Sequence, residues 1–498
     1  MPANAYHKLE ELFAKLLRIE DAIAILQWDA AVMMPKASAV ARGEEIATLK
    51  GLHHKLLAGS SVASLICKAN NLDMDDWQRA NLAEMSRQWI HAHAVPARLI
   101  EALARATSAC EMVWREARAR GDFKSVRKPL EKVVALIREA GEAKAEPLGV
   151  TPYEALMDLY EPEASEKRID PLFADLEAFI AQTLPRVLDR QKGAPPPVLG
   201  PIPEARQKLL GRKLMEVIGF DFSKGRLDES AHPFSGGTPY DVRITTRYDE
   251  AEPLKSLMGV AHETGHALYE MNLPEAWRHQ PVGRARGMGM HESQSLIVEM
   301  QACRSAEFTR FLAPLLREML GGSGPEWQAD ALLRRLTWVS PGFIRVDADE
   351  LTYSAHVILR YRLERDMIRG ALKVSDLPEA WNEGMRRLLN IVPASDAQGC
   401  LQDIHWYDGA IGYFPSYTLG ALAAAQLFQA AGKAMPDLRG KLEQGDFSPL
   451  MTWLKTHVHG QGCKGSSDEI LERATGYPLD AGFFKAHIEQ RYLNSDDC

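Results

Sequence analysis

The sequence has few cysteines and lacks any segment typical of an exported or membrane-embedded protein. Its six cysteines lie tens of residues apart without a C-x-x-C pair, which predicts reduced thiols in a cytosolic protein rather than a disulfide framework. The N-terminal segment is charged and amphipathic from its start, unlike a signal peptide. The apolar stretch YTLGALAAAQLFQAAG is too short to span a bilayer. We therefore expect a cytoplasmic location and no membrane partner.

An excess of charge of one sign is also lacking. The formal net charge of −8 is spread over 498 residues rather than collected in a tail, which argues against nucleic acid or anionic lipid as the main partner. With 46% hydrophobic and 25% charged residues, the composition is typical of a water-soluble globular protein with a large core.

Helical periodicity dominates what is present. Leu9, Leu12, Phe13, Leu16 and Leu17 recur at spacings of three and four, which places them on one face of a helix. The same pattern recurs in LIEALARATSACEMVWREARA, KPLEKVVALIREAGEA and IDPLFADLEAFIAQTLPRVLD. The fold class predicted from this pattern is mainly α.

A proline-rich segment, KGAPPPVLGPIPEARQ at residues 192–207, interrupts the helices because its five prolines exclude a continuous helix. We interpret it as a surface loop, with a domain linker as the alternative. The domain prediction is therefore one domain over residues 1–498, with a possible subdivision near 192–207.

Periodicity changes to two in DVRITTRYDE, where Val242, Ile244, Thr246 and Tyr248 alternate with polar residues. This alternation predicts a strand introduced by a Gly-Gly-Thr-Pro turn, and thus a small β-sheet within a helical body. Such a strand could offer an exposed edge to a peptide backbone, or it could be wholly buried.

The segment HETGH, which follows this strand, suggests a metal site. On a helix His262 and His266 lie one turn apart and face one ion, while Glu263 is rotated by about 100° and reaches a water rather than the metal. Gly265 weakens a helix interior and is tolerable where another backbone packs closely. A chance H-E-x-x-H is expected in roughly one protein in thirty of this kind, so a third ligand is needed.

Glu292 is the first candidate for the third ligand, because it lies in a later helical segment, RARGMGMHESQSLIVEM, thirty residues beyond His262. Glu299, two turns deeper, ranks second, and Glu270 would tilt away from the ion. The alternative interpretations are a Glu292 that stabilises a helix N-terminus and a His291 on the surface.

The sequence resembles the thermostable carboxypeptidase (carboxypeptidase Taq) family of zinc metallocarboxypeptidases, and the resemblance extends over nearly the whole chain. Six family motifs occur in order: HPF at 232–234, DXRXT at 241–245, HEXXH at 262–266, HESQS at 291–295, IRXXAD at 344–349 and GXXQDXHW at 399–406. The chain departs from the family pattern at Val298 and Met300, where members usually carry an aromatic residue and an asparagine.

The resemblance implies an elongated, helical zincin-type body with a small sheet beside a deep active-site groove. It also implies a cytoplasmic homodimer that releases C-terminal amino acids from peptides with broad specificity. The HESQS motif implies that Glu292 joins His262 and His266 on Zn²⁺, and whether Co²⁺ substitutes is left open. His232, in HPF, lies near the groove by this comparison, although a lone histidine before proline is more often structural.

The predicted reaction assigns roles to further residues. Glu263 accepts the proton of the attacking water and passes it to the departing amine. The free C-terminal carboxylate of the peptide needs a guanidinium, with Arg345 as first candidate and Arg243 and Arg247 as others. Arg345 could instead pair with an acid within PGFIRVDADE, namely Asp347 or Asp349, and Arg243 could be structural.

The segment GCLQDIHWYDGAIGYFPSY supplies candidates for stabilising the oxyanion. We predict His405 first and Tyr407 second, with Asp403 orienting or packing nearby, and Tyr413 and Tyr417 as further phenols. Aromatic residues at this density are more often part of a core.

Two other functions are compatible with parts of the sequence. A zinc aminopeptidase or endopeptidase would use the same ligands, although an aminopeptidase needs carboxylates for the substrate ammonium and no Gly-x-Met-Glu-Asn-like segment provides them. A non-catalytic helical binding protein would bind no stoichiometric zinc, and the intact Glu263 argues against it.

Overall fold

The fold is mainly helical in the computed structural model, which describes residues 4–191, 193–230 and 233–494. Helix α1 (Ala5–Val32) buries Leu9, Phe13, Leu16 and Leu17 along one stripe, as their spacing predicts. The prediction of a mainly helical protein with a small sheet is confirmed.

The other helices follow in chain order. Before the sheet they are α2 (Ala39–Leu57), α3 (Ser60–Ala69), α4 (Asp76–His93), α5 (Ala97–Arg120), α6 (Phe123–Leu148), α7 (Pro152–Met157), α8 (Glu166–Arg190) and α9 (Glu204–Ile218). After it they are α10 (Pro253–Met271), α11 (Met288–Leu296), α12 (Ala306–Leu320), α13 (Ala329–Leu336), α14 (Glu350–Arg369), α15 (Leu377–Leu389), α16 (Pro415–Ala434), α17 (Leu438–Glu443), α18 (Ser448–His457), α19 (Ser467–Thr475) and α20 (Ala481–Tyr492). Among the described residues, no helix combines the length and apolar character needed to cross a membrane.

The sheet consists of β1 (Gly225–Glu229), β2 (Phe234–Thr238) and β3 (Asp241–Thr246), with β3 in the centre. Strand β3 pairs in parallel with β1 and antiparallel with β2, and its Val242 and Ile244 pack against Val260 of α10. The predicted strand is present, but it is not an edge. The hypothesis that it pairs with a substrate backbone is therefore wrong, because both of its sides are already paired.

The predicted turn before β3 is made by other residues, and one predicted residue near the sheet is not among the described residues. The Gly-Gly-Thr sequence lies within β2 rather than in a turn, and the turn to β3 is made by Pro239 and Tyr240. His232 lies outside the described residues.

The proline-rich segment is irregular from residue 193 to residue 203, as its prolines predict. Leu199 and Ile202 are nevertheless buried in the same cluster as Leu257 and Met290 of the helices α10 and α11. The backbone N–H of Ile202 donates to the carbonyl of Glu250 at 2.9 Å, so the segment is fastened to the body. Lys192 lies outside the described residues.

Candidate metal centre

Two histidines on α10 and one glutamate on α11 converge on a common point. The Nε2 atoms of His262 and His266 lie 3.8 Å and 3.5 Å from Oε2 of Glu292. One ligand atom from each of the three lies within 4.8 Å of the others, which is the arrangement of a metal-binding group. The structure thus brings together the three residues that were predicted as ligands, with Glu292 in the second turn of its helix.

Glycines allow the helices around Glu292 to approach closely. A Cβ atom on Gly265 would lie 2.4 Å from the carbonyl oxygen of Gln294, so α10 and α11 touch at backbone level there. On the other side of α11, a Cβ atom on Gly420 of α16 would lie 2.6 Å from Cβ of Glu292. Glu292 therefore lies on a helix that is packed closely against α10 on one side and α16 on the other.

Glu299 contacts His262 and is not one of the three side chains that converge. Its Oε2 lies 3.0 Å from Nδ1 of His262, and its Oε1 accepts from Nη2 of Arg304 at 2.6 Å. Glu299 lies in a π-helical segment, Ile297–Cys303, which continues α11 and also contains Val298 and Met300. Glu299, the second-ranked candidate ligand, thus orients the imidazole of His262 through its Nδ1 atom.

A second chain of contacts holds His266. Its Nδ1 lies 3.1 Å from the carbonyl oxygen of His291 and 2.7 Å from Nδ1 of the same residue. The Nε2 atom of His291 lies 2.9 Å from Oε1 of Glu270. If Nδ1–H of His266 and Nε2–H of His291 are the donors, every contact is satisfied and Nε2 of His266 is free for a metal. His291 is therefore not the surface histidine of the alternative interpretation.

The centre concentrates negative charge in a poorly solvated place. Glu263, Glu292 and Glu299 are each 8% exposed. Burial would lower the pKa of His262, but Glu292 and Glu299 outweigh it and raise that pKa to about 10. Burial, reinforced by Glu292, raises the pKa of Glu263 to about 7 despite the opposing effect of His262. Three carboxylates around two imidazoles are an environment that a divalent cation would stabilise.

Arg345 belongs to a buried cluster of charges. Its Nε and Nη2 donate to Oδ1 of Asp403 at 3.1 Å and 2.8 Å, and Arg360 donates to Oδ2 at 2.6 Å. Its Nη1 donates to the hydroxyl of Tyr353 at 3.0 Å. Two guanidinium groups share one carboxylate, so the cluster carries a net positive charge.

Neither acid of the alternative interpretation contacts Arg345. Asp347 pairs with Lys255, and Asp349 accepts from the N–H groups of Leu351 and Thr352 at the start of α14. Asp403 orients the two arginines. Its charge also acts on His405, so it lies near that histidine as expected.

The other two arginine candidates lie elsewhere. Arg243 donates through Nε and Nη2 to both carboxylate oxygens of Asp241, and its guanidinium lies 4.3 Å from the ring centre of Trp28. These contacts occupy the fork of its guanidinium group, that is Nε–H and one Nη2–H, as in a structural ion pair. Arg247 is exposed at the end of the sheet.

The structure contradicts the prediction that Tyr407 stabilises the oxyanion. Tyr407 is fully buried, its ring stacks on Trp114 with centres 5.8 Å apart, and its hydroxyl donates to the carbonyl of Cys400 at 2.9 Å. The hydroxyl proton of Tyr407 is therefore bound within the core. This agrees with the alternative interpretation, in which the aromatic residues of this segment belong to the core.

Other phenols of the same segment lie nearer the ligands. Burial raises the pKa of Tyr413 and Tyr417, and the Glu292 carboxylate adds to the rise in both, which places their hydroxyls within its field. His405 holds Tyr417, because its Nε2 lies 3.2 Å from that hydroxyl. Burial lowers the pKa of His405 to about 4, so its imidazole is neutral near pH 7.

Tyr353 and Arg360, which contact the cluster of Arg345 and Asp403, were not predicted from the sequence. Both belong to a polar stripe on α14 that also contains His356 and Glu364, in which Tyr353 is half-buried and the other three are buried. Their spacing of three, four and four, which places them on one helix face, was the available signal, because buried polar residues on one face require partners.

Comparisons with known proteins identify the family to which the chain belongs. The profile of the family described as carboxypeptidase Taq (M32) metallopeptidase matches residues 8–492. The chain is 35% identical to thermostable carboxypeptidase 1 of Pyrococcus furiosus over 500 residues, covering 97% of this chain and 98% of the relative. It is also 35% identical to thermostable carboxypeptidase 1 of Thermus thermophilus over 504 residues, covering 99% of each. The solved structure of Trypanosoma cruzi metallocarboxypeptidase 1 superposes with a TM-score of 0.95 at 39% identity, covering 98% of this chain and 99% of that one.

Proposed function

Because the chain belongs to the carboxypeptidase Taq (M32) metallopeptidase family and is a metallocarboxypeptidase, we propose that His262, His266 and Glu292 hold a zinc ion with which it releases C-terminal residues from peptides. The observation that carries this proposal is the convergence of these three donors. Broad specificity, which the family resemblance implied, is part of the proposal.

The donor set fits zinc. Two imidazoles and one carboxylate form a ligand set of catalytic zinc sites, which leaves a fourth position open. Tetrahedral zinc with bonds near 2.0–2.1 Å needs ligand atoms roughly 3.4 Å apart, and the two imidazole-to-carboxylate distances are 3.8 Å and 3.5 Å. Cobalt(II) accepts the same donors, so metal analysis has to distinguish the two ions.

Glu263 is the proposed general base. When bound, zinc polarises the scissile carbonyl and acidifies water. The Glu263 carboxylate, whose pKa is raised to about 7 by burial, accepts the proton of the attacking water near neutral pH and returns it to the departing amine.

Arg345 is the proposed anchor for the C-terminal carboxylate. A guanidinium has five N–H groups, and the three hydrogen bonds of Arg345 to Asp403 and Tyr353 leave one N–H on each terminal nitrogen for a substrate. The net positive charge of its cluster favours an anion. Arg243 is not part of this proposal, because Asp241 occupies its fork.

Tyr413 and Tyr417 are the proposed donors to the oxyanion, in place of Tyr407. Their hydroxyls lie in the field of Glu292, and at pH 7 both are protonated because burial raises their pKa. His405 positions Tyr417. Such donors contribute about 3 kcal/mol each in comparable sites.

The remaining proposals concern the whole protein. The chain acts as one metallocarboxypeptidase domain, since the proline-rich segment packs with the metal-binding helices. A cytoplasmic location is supported by the five described cysteines, all of which are free thiols. The homodimer is proposed on the family resemblance alone, and the substrate is a peptide with a free C-terminus.

The experiment compares one peptide in three forms: unmodified, acetylated at its N-terminus and amidated at its C-terminus. A carboxypeptidase releases the last residue from the first two forms and spares the third, whereas an aminopeptidase spares the acetylated form and an endopeptidase cuts all three internally. Chelation should abolish release, and stoichiometric zinc should restore it. A chain that binds no zinc and keeps its activity in chelator would contradict the metal assignment.

A further inference from the structure

Lys144, on α6, is a buried cation that the catalytic centre does not use. Its residue is only 8% exposed, and within the described residues its ammonium group makes no hydrogen bond and no ion pair. The Nζ atom keeps a small contact with solvent, and an ammonium group with so little water and no hydrogen-bonded partner in the protein is unfavourable. A fold that keeps such a group has a use for it or tolerates its cost.

The nearest acid does not satisfy Lys144. Asp158 follows α7, and its Oδ2 accepts from Nη1 of Arg87 at 3.2 Å and lies 2.7 Å from Nε2 of His91. Its Oδ1 accepts from the backbone N–H of Glu163 at 2.8 Å. Burial lowers the pKa of Lys144 to about 8, and the charge of Asp158 opposes this shift only in part.

Lys144 lines an open cavity of about 300 Å³ between α2, α4, α5, α6, α7 and the segment after α7. Most of its lining is apolar, including Val95, Leu103, Ile137, Leu156 and Ile411. The cavity is thus largely apolar, with one unpaired lysine beside His54, His91 and Tyr160 in its wall. Its volume is at the lower end of the range for small-molecule sites.

We propose that this cavity binds a small molecule with an apolar body and one carboxylate, and that the carboxylate pairs with Lys144. The apolar walls favour a hydrocarbon or aromatic body, and the single unpaired cation matches a single negative charge. A polyphosphate would bring several charges to one ammonium group. A medium-chain fatty acid of about eight carbons matches both the size and the charge.

The cavity is separate from the proposed metal centre, but it adjoins residues that support the helix of Glu292. Tyr160 lines the cavity, and its carbonyl accepts from the N–H of Met288, the first residue of α11, at 2.7 Å. Its ring lies edge-on to that of Tyr413, with centres 5.0 Å apart. A ligand at Lys144 therefore lies next to the segment that braces the helix of Glu292.

The test is isothermal titration of octanoate into the full-length zinc-loaded protein. We expect one octanoate per chain in the wild type, binding at least tenfold weaker to Lys144→Met, and binding at least tenfold weaker of octan-1-ol, which lacks the carboxylate. Lys132→Met is the matched control, because Lys132 is exposed on the same helix, and it should bind octanoate as the wild type does.

Three binding results would overturn the proposal. The first is that the wild type binds no octanoate, and the second is that it binds octan-1-ol as tightly as octanoate. The third is that Lys144→Met binds octanoate as tightly as the wild type, which would place the octanoate elsewhere, for example at the zinc ion. The melting temperature tests whether Lys144 merely supports the fold. Removing an unpaired buried charge should leave the melting temperature of Lys144→Met equal or higher, and a marked fall would assign the lysine to stability instead.

Discussion

The Nδ1 atom of His262 lies 3.0 Å from Oε2 of Glu299, and this contact determines how the imidazole can be used. A carboxylate at Nδ1 keeps one ring proton there, so Nε2, which faces Glu292, is the nitrogen that can give up its proton and bind a metal. Arg304 holds the other oxygen of Glu299 at 2.6 Å. The orientation of His262 thus depends on a chain of two further side chains.

Replacing Glu299 with glutamine should weaken zinc binding by about 10–100-fold, because the amide loses the negative charge that orients and polarises His262. Competition with a chelator of known affinity measures the change. Glu318→Gln, on the exposed face of α12, is the control and should bind zinc as the wild type does. Equal affinity for the two variants would show that Glu299 does not support the ligand.

Glu263→Gln and His266→Ala should separate catalysis from metal binding. The glutamine variant keeps all three ligands but lacks the base, so it should retain one zinc per chain and lose about 10²–10⁴-fold in kcat. His266→Ala lacks a ligand and should lose both zinc and activity. Elemental analysis and peptide-release kinetics measure these quantities, and loss of zinc from Glu263→Gln would mean that Glu263 is itself a ligand.

Gly265→Ala should destabilise the protein, because the new methyl group would meet the backbone of α11 at Gln294. Overpacking of this kind costs about 1–3 kcal/mol, and displacement of Glu292 should also weaken zinc binding. Gly259→Ala is the matched control on the same helix, since its methyl group would meet nothing within 4 Å. That control should be neutral or more stable by up to about 1 kcal/mol. Equal stability of both variants, measured by urea unfolding, would contradict the close packing.

Most of the ligand geometry could be predicted from the sequence, because one helical turn fixes the relation between His262 and His266. Glu292 could be ranked first from its position in the later helical segment. The roles of Glu270 and His291 could not be predicted, because their pairing depends on how α10 and α11 cross. Gly265 hinted at that crossing without giving its register.

Contacts between distant segments account for what the sequence could not show. Periodicity identified β3 but not its neighbours, so an edge strand and a central strand looked alike until β1 and β2 were seen on either side. The pairing of Arg345 with Asp403 joins segments 58 residues apart, whereas the sequence reading considered only nearby acids. Tyr407 and Tyr417 differ in which face of their segment is buried, and residue type alone does not reveal that.

Arg345→Lys should impair substrate binding more than chemistry. Lysine keeps the positive charge but lacks the two remaining N–H groups of the guanidinium fork, so KM for peptides with a free C-terminus should rise about tenfold or more. Arg243→Lys is the control, because the fork of Arg243 is occupied by Asp241, and its KM should stay close to that of the wild type. An unchanged KM for Arg345→Lys would remove Arg345 as the carboxylate anchor.

Glu350, at the start of α14, should make stability depend on pH. Burial would raise its pKa, but Arg491 and His487 outweigh burial and lower it to about 2, from 4.5 in the unfolded chain. A carboxylate with a lowered pKa stabilises the fold above pH 4.5 and loses this contribution as the pH falls toward 2. The shift corresponds to about 3 kcal/mol at neutral pH.

Glu350→Gln should therefore be less stable than the wild type by about 3 kcal/mol at pH 6, because Arg491 loses its counter-charge. The gap should narrow by about 1 kcal/mol at pH 4, where the wild type has begun to lose the contribution and glutamine has none to lose. Urea unfolding at both pH values measures the gap. Glu142→Gln, on the exposed side of α6, should show no gap at either pH. A gap that stays constant or widens on acidification would mean that Arg491 and His487 do not hold the pKa of Glu350 low.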